Sequence, residues 1–189
     1  MTHRSGWVFV GGKSSRFGCD KALVKWRGRP MAAHVAGLVY AATGSVTLVG
    51  DPEKYSILGL PAISDAVKKV GPVGGLLAVL NTTKSKWNLV VACDMPYLKE
   101  DFLKFLLARA CSSDADVVFP IGDGGVPQPL CAVYKITASE VIRSAVDEGE
   151  RKITKTFEGL KVEGILGSEY SSFDEEGNLL KNVNRPEDL

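Results

Sequence analysis

Three glycines and three cations lie close together near the start of the sequence, directly after the apolar run 7–10. Their segment reads Gly11-Gly12-Lys13-Ser14-Ser15-Arg16-Phe17-Gly18-Cys19-Asp20-Lys21. Glycine lets backbone N–H groups approach an anion closely, and Lys13, Arg16 and Lys21 supply positive charge. A buried strand that leads into such a loop predicts a phosphate site, and therefore a nucleotide or another polyphosphate. An ordinary glycine-rich turn with solvated cations is the alternative.

The segment differs from two common phosphate loops. The ATPase/GTPase loop has a glycine five residues before its Gly-Lys-Ser, where this chain has Trp7. The dinucleotide fingerprint needs glycines at the positions that Ser14 and Phe17 occupy. The sequence therefore predicts a phosphate site of another class.

Two later loops carry acidic residues that follow strand-like runs. Asp65 precedes the glycine-rich stretch 71–75, and Asp94 follows the apolar run 89–93. A carboxylate at the end of a buried strand needs a partner, and a Mg²⁺ ion that bridges phosphate oxygens is a natural one. A turn residue or a helix N-cap is the alternative for both aspartates, and a tight turn is the alternative for 71–75.

The elements that must position these loops alternate between strands and helices. Strands are predicted over 7–10, 46–49, 62–64, 88–93, 116–120 and 130–134. Helices are predicted over 30–42, 74–83, 100–111, 137–147 and 152–158. Such alternation predicts a mostly parallel sheet that is covered by helices on both faces, with ligands bound beyond the carboxyl ends of its strands.

Composition restricts the class of protein. The chain has 189 residues, of which 45% are hydrophobic and 24% charged, so one domain over residues 1–189 is expected. No apolar run is long enough to span a bilayer, and a net charge of +1 does not predict nucleic-acid binding. The four cysteines show no metal-binding spacing, and no signal peptide precedes the first strand. We therefore expect a cytoplasmic protein with reduced thiols that binds small molecules.

The motifs together resemble the molybdenum cofactor guanylyltransferase family, which is also called molybdopterin-guanine dinucleotide biosynthesis protein A. The matching segments, in order along the chain, are 9–18, Asp20-Lys21, Asp65 with 71–75, 92–96, 128–134 and 182–189. They cover nearly the whole chain. The resemblance implies a three-layer αβα Rossmann-like nucleotidyltransferase fold with a mostly parallel mixed sheet. It also implies that GMP is transferred from GTP to the terminal phosphate of molybdopterin, with Mg²⁺ as the cofactor.

The resemblance assigns roles by position. Phe9, Val10 and Gly11 are expected to hold the nucleotide, Asp65 its nucleoside part, and Asp94 the metal. Lys21 is expected to bind the phosphates. The neighbouring Gly12, Lys13 and Arg16 complete the expected phosphate site, and Arg16, Lys21 and Asp94 are the expected catalytic residues. Asn182 and Asn184 are expected on the pterin side, because alternate residues of an extended segment share a face and an amide both donates and accepts. A pair of turn residues is the alternative for these asparagines.

The chemistry itself requires no general base. A phosphate monoester has a second pKa near ~6, so the attacking oxygen is ionised at neutral pH. His3 and His34, the two histidines of the chain, are therefore expected to be structural or solvated. The barrier is charge repulsion and alignment, which positioned cations lower.

Some positions depart from the family pattern and leave other substrates open. Phe9-Val10 replaces Leu-Ala, Phe17 replaces Met, the stretch 49–51 lacks an expected Asn, and Arg185 stands where Thr is usual. Another small-molecule nucleotidyltransferase is the first alternative, such as a molybdopterin cytidylyltransferase or a sugar-phosphate nucleotidylyltransferase. The Gly11-Gly12 pair favours guanylyl transfer. A non-catalytic nucleotide-binding protein is the second alternative. The resemblance leaves room for transient contact with proteins that deliver the molybdenum cofactor.

Overall fold

The structure is a computed structural model that describes residues 4–11, 20–67 and 70–188. Gly12, Lys13 and Arg16, which were predicted to bind phosphate, lie outside the described residues, as does His3. Their roles remain predictions from the sequence.

The described strands form one large sheet and a small hairpin. The strands are β1 (Arg4–Phe9), β2 (Lys25–Trp26), β3 (Arg29–Pro30), β4 (Thr47–Val49), β5 (Ala62–Ile63), β6 (Trp87–Ala92), β7 (Val117–Gly122), β8 (Val126–Pro127), β9 (Cys131–Lys135) and β10 (Val162–Ile165). The large sheet has the order β10-β7-β9-β6-β1-β4-β5, with β8 paired to β7, and β2 pairs with β3. Strand β1 is parallel to both β4 and β6, whereas β9 is antiparallel to its neighbours β6 and β7.

Helices cover both faces of this sheet. They are α1 (Met31–Thr43), α2 (Pro72–Thr82), α3 (Glu100–Ser112), α4 (Ser139–Asp147) and the short α5 (Gly167–Tyr170). Strand β6 is buried on both faces: Leu89 and Val91 pack with α1 and α3, and Val90 packs with α2 and α4. Its uninterrupted apolar sequence follows from this position. The mostly parallel mixed sheet between two helical layers confirms the predicted fold class.

Most predicted elements are present, with ends shifted by a few residues. The expected helix over 152–158 is a 3₁₀ helix, Ile153–Phe157, and α2 begins at Pro72, two residues earlier than predicted. The hairpin, β8, β10 and α5 were not predicted. Strand β10 lacks an apolar pattern because it is a half-exposed edge strand, and Gly164 leaves room for the Ile121 side chain.

The described part of the chain contains no helix that is both long enough and apolar enough to span a membrane. Among the described cysteines, Cys93 and Cys131 are buried and Cys111 is exposed, and all three are free thiols.

Candidate functional site

A cavity of about 750 Å³ opens at the carboxyl ends of β1, β4, β5 and β6. This is the sheet edge at which the alternation of strands and helices predicted a ligand. The predicted site residues that line it are Phe9, Val10, Gly11, Lys21, Asp65, Asp94 and Asn182. The fold therefore brings together, from five separate parts of the chain, most of the predicted residues that the structure describes.

The first part of the cavity is the end of β1. The backbone N–H of Val10 donates to the carbonyl of Val49, at 2.9 Å, and the Cys93 N–H donates to the carbonyl of Phe9, at 3.0 Å. These bonds hold β1 between its two parallel neighbours. Gly11 then turns the chain with a φ of +103°, and a Cβ atom there would lie 3.4 Å from the Tyr55 hydroxyl. Glycine is required at this position because the left-handed region strains other residues.

Asp94 lies at the centre of the site, two residues after the end of β6. Its Oδ2 accepts a hydrogen bond from Lys21 Nζ at 2.8 Å, and both side chains are mostly buried, at 17% and 19% exposure. Its Oδ1 lies 3.5 Å from Asn182 Nδ2. The predicted need of this carboxylate for a cationic partner is met, in this structure, by a lysine.

The C-terminal segment completes this centre. The Val183 N–H donates to the Asp94 carbonyl at 2.8 Å, and the Val183 side chain is fully buried beside Trp26 and Met31. Lys21 Nζ also donates to Asn184 Oδ1, at 2.9 Å, and to the Val183 carbonyl, at 3.3 Å. The amides of both predicted asparagines therefore lie beside the Lys21–Asp94 pair. The buried Val183 between them holds the segment in this position.

The donor set fits a cation that is shared with a substrate. No group of three or more His, Cys, Asp or Glu side chains within residues 4–11, 20–67 and 70–188 could hold a metal by itself. Asp94 offers one carboxylate, with the Asn182 amide next to it. Mg²⁺ is commonly held by one or two carboxylates together with substrate phosphates and water. These residues suit such an ion and do not suit a structural metal with a closed protein coordination shell.

Asp65 faces the cavity from the loop after β5. Burial raises the pKa of its carboxyl group, and the carboxylate has no hydrogen-bond or ion-pair partner among the described residues. Gly75 of α2 packs against it: a Cβ there would lie 3.1 Å from Asp65 Oδ1 and 2.7 Å from Phe9 Cε1. The absence of a side chain at Gly75 thus allows Asp65 and Phe9 to occupy their positions.

The glycines of 71–75 have two different tasks. Gly71, with a φ of +75°, precedes α2 and lines the cavity together with Pro72. Gly74 is buried, and a Cβ there would meet the Val67 carbonyl oxygen at 2.4 Å. Only the first residues of this segment therefore line the cavity, because the later glycines allow close packing.

Asp20 directly precedes Lys21 and bonds to the backbone of the turn that carries it. Asp20 Oδ1 accepts from the Ala22 N–H at 3.0 Å and so caps the 3₁₀ helix Lys21–Leu23. Its Oδ2 accepts from the Tyr55 hydroxyl, at 2.8 Å, and from Lys54 Nζ, at 2.5 Å. Burial alone raises the pKa of Asp20, but the hydrogen bonds from Lys54, Tyr55 and Ala22 outweigh it, and the pKa lies below its usual range.

Several residues that line the cavity were not predicted from the sequence. Lys54 and Tyr55 enter it after β4, and Gln128 enters it before β9. Gln128 belongs to the segment 128–134 that carries the family resemblance, but no role was predicted for it. No local pattern signals Tyr55, because its partner Asp20 is 35 residues away. Gly50, where an Asn was expected nearby, has no room for a side chain, since a Cβ there would lie 2.5 Å from the Val10 carbonyl oxygen.

Acid–base and nucleophilic groups are scarce in the described cavity. Burial raises the pKa of the Cys93 thiol to about 12, so this cysteine is protonated at neutral pH. His34 is half-buried, bonds through Nε2 to the Pro96 carbonyl at 3.0 Å, and does not line the cavity. Burial lowers the pKa of this histidine. Among its described lining residues the cavity thus offers lysines and carboxylates that can stabilise charge, but no histidine and no ionised thiol.

Comparison with known proteins gives a consistent result. The sequence profile of the MobA-like NTP transferase domain matches residues 6–162. A probable molybdenum cofactor guanylyltransferase from Deinococcus radiodurans is 33% identical over 182 residues, which cover 96% of this chain and 90% of that protein. A molybdenum cofactor guanylyltransferase from Photobacterium profundum is 30% identical over 190 residues, covering 98% and 94%. Molybdopterin-guanine dinucleotide biosynthesis protein A from Archaeoglobus fulgidus superposes with a TM-score of 0.84 at 28% identity, covering 97% and 94%.

Proposed function

Since the chain belongs to the MobA-like NTP transferase family and is a nucleotidyltransferase, we propose that it transfers GMP from GTP to the terminal phosphate of molybdopterin. Pyrophosphate is the second product. The observation that carries the proposal is the pairing of Lys21 with Asp94, at 2.8 Å, inside a cavity at the carboxyl ends of parallel strands. A phosphate-binding cation and a metal-binding carboxylate are the two groups that this reaction needs most.

The acceptor supplies its own nucleophile in this reaction. Its phosphate oxygen is ionised at neutral pH and attacks the α-phosphate of GTP, and the bond from the α-phosphorus to the bridging oxygen of pyrophosphate breaks. No proton has to be removed, which agrees with a described cavity that no histidine lines. The barrier is the repulsion between anions, so the enzyme acts by positioning and charge stabilisation.

Lys21 is the cation that the structure describes closest to Asp94. A lysine ammonium is a compact point charge that suits phosphate oxygens. In this proposal Lys21 stabilises the charge that accumulates on the triphosphate and on the leaving pyrophosphate. Lys13 and Arg16 are proposed to share this task on the strength of the sequence. Asp94 would hold Mg²⁺, which, when bound, screens the phosphate oxygens from one another.

The two ends of the cavity are proposed to hold different substrates. Phe9, Val10, Gly11 and Asp65 lie where β1 and β5 end, and are assigned to the nucleotide. Asn182 and Asn184 reach Asp94 and Lys21 from the C-terminal segment, and are assigned to the acceptor. With Asp94 and Lys21 between the two groups, the attacking phosphate and the α-phosphate would meet at the cation site.

A nucleotide screen tests this proposal. The enzyme is incubated with molybdopterin, Mg²⁺ and one of GTP, CTP, ATP or UTP, and pyrophosphate release is measured. GTP is expected to give the highest kcat/KM and, by calorimetry, the tightest binding. CTP that binds as well as GTP, or better, would contradict the guanine assignment and leave nucleotidyl transfer standing. No pyrophosphate with any of the four nucleotides would contradict the reaction itself.

A further inference from the structure

One tyrosine side chain bonds to Asp20 and lies next to the space beside Gly11, the two described residues that flank 12–19. The Tyr55 hydroxyl donates to Asp20 Oδ2 at 2.8 Å, and it lies 3.4 Å from the position that a Cβ at Gly11 would take. Tyr55 itself is 1% exposed and follows β4 by six residues. Gly11 is the last described residue before 12–19, and Asp20 begins the turn that carries Lys21.

We infer that Tyr55 is a positioning residue, whose hydroxyl holds Asp20 against the chain after β4 and thereby fixes the backbone that carries Lys21 beside Asp94. Its effect on turnover rests on the proposed function. The hydroxyl reaches Lys21 through Asp20, because the same carboxylate that accepts the Tyr55 bond also caps the 3₁₀ helix Lys21–Leu23.

The coupling follows from the geometry of a planar carboxylate. The Ala22 N–H bonds to Oδ1 and the Tyr55 hydroxyl bonds to Oδ2. Together the two bonds limit rotation of the Asp20 carboxylate. Without the hydroxyl, the carboxylate can turn about its side-chain bonds, and the capping bond loses its fixed partner. The lysine that follows Asp20 directly then samples a wider range of positions.

Lys54 bonds to the same Oδ2 atom but is less suited to this task. Its side chain is 51% exposed, and an exposed ion pair contributes little to stability and holds no single geometry. The Tyr55 ring is buried and has few alternative positions. Its hydrogen bond is partly buried and is accepted by a charged group, and such a bond contributes more to stability than an exposed ion pair does. The tyrosine is therefore the group that defines the position of Asp20.

Hydrogen exchange without any ligand tests the structural part of the inference. Tyr55→Phe is expected to speed exchange of the Ala22 amide at least ~10-fold, because loss of the hydrogen bond from Tyr55 frees the Asp20 carboxylate that accepts from this amide. Tyr170→Phe is the matched control, because Tyr170 is also a buried tyrosine whose hydroxyl donates at 2.7 Å, to the Ile121 carbonyl. An Ala22 exchange rate that Tyr55→Phe changes by less than twofold, or no more than the control does, would overturn the inference.

Kinetics test the functional part, at a temperature well below the melting temperature of both variants. Tyr55→Phe is expected to lower kcat/KM for GTP ~10-fold or more, whereas Tyr170→Phe retains the wild-type constants. If Tyr55 acts through Asp20, Asp20→Asn combined with Tyr55→Phe lowers kcat/KM by much less than the product of the two single effects. Wild-type kcat and KM in Tyr55→Phe, or two fully independent effects, would overturn the inference. Failure of the proposed function shows separately, as a wild-type enzyme that releases no pyrophosphate.

Discussion

Lys21 Nζ and Asp94 Oδ2 lie 2.8 Å apart, although 73 residues separate them in the sequence. The pair is mostly buried, and Asn182 and Asn184 contact one member each. A cation that binds Asp94 competes with the lysine for the same carboxylate oxygen. If the proposed function holds, Lys21 exchanges part of its contact with Asp94 for contact with the phosphates, and the first two predictions test these two residues.

Replacing Asp94 is expected to abolish turnover while the fold stays intact. Asp94→Ala removes the carboxylate assigned to Mg²⁺, so pyrophosphate release should fall ~100-fold or more, the scale of losing one preorganised electrostatic group. The measurement is Mg²⁺-dependent pyrophosphate release, with circular dichroism and a thermal melt to verify folding. Asp147→Asn, at an exposed position at the end of α4, is the control. Normal Mg²⁺-dependent activity in Asp94→Ala would place the metal elsewhere and make Asp94 a structural residue.

Lys21→Ala is expected to lower kcat by ~100-fold or more, because it removes a positive charge that stabilises the transition state. Lys21→Met retains the length of the side chain without its charge and should be nearly as inactive. Steady-state kinetics on both variants are compared with Lys25→Ala, a substitution at an exposed position. Three variants of equal activity would show that Lys21 has no part in catalysis.

Gly75→Ala is expected to lower stability by about 1–3 kcal/mol, as overpacking of a filled interior does. The added Cβ would lie 2.7 Å from Phe9 Cε1 and 3.1 Å from Asp65 Oδ1, so the KM for the nucleotide should rise as well. Urea unfolding and steady-state kinetics are the measurements. Gly37→Ala in α1 is the control, because a Cβ atom there would have its nearest neighbour at 3.9 Å. Removal of this helical glycine should stabilise the fold by about 0.5–1 kcal/mol. A Gly75→Ala enzyme as stable and active as wild type would contradict the packing argument.

Asp20 is expected to make stability depend on pH in the acid range. Its pKa is lowered in the folded state, so between the folded and unfolded values the unfolded chain binds more protons, and stability rises with pH. Its contribution is present above the ordinary aspartate pKa of ~3.9 and is lost as the pH falls toward the lower folded value. In urea unfolding, the stability difference between wild type and Asp20→Asn should therefore be larger at pH 7 than at about pH 3, which lies below the ordinary aspartate pKa. A difference that does not change with pH would show that the bonds to Asp20 do not depend on its charge.

Sequence patterns predicted the fold class and the edge of the sheet at which the cavity lies, because both depend on local periodicity. The buried apolar run of β6 and the helices between strands are visible in short windows of sequence. Gly11, which the sequence assigns to nucleotide binding, lines the cavity and has a positive φ that favours this residue type. The polar edge strand β10 was missed because its half-exposed residues carry no apolar signal.

Periodicity and residue type along the chain were thus enough to predict the order of the elements and the class of fold. Which of the site residues touch one another depends on the tertiary structure. Tyr55 reaches Asp20 across 35 residues, and Lys21 reaches Asn184 across 163. Such contacts leave no periodic trace in the chain, because each arises where two loops from different strands end at the same sheet edge. The partner of a charged side chain at this edge is set by strand order and register, which only the folded sheet defines.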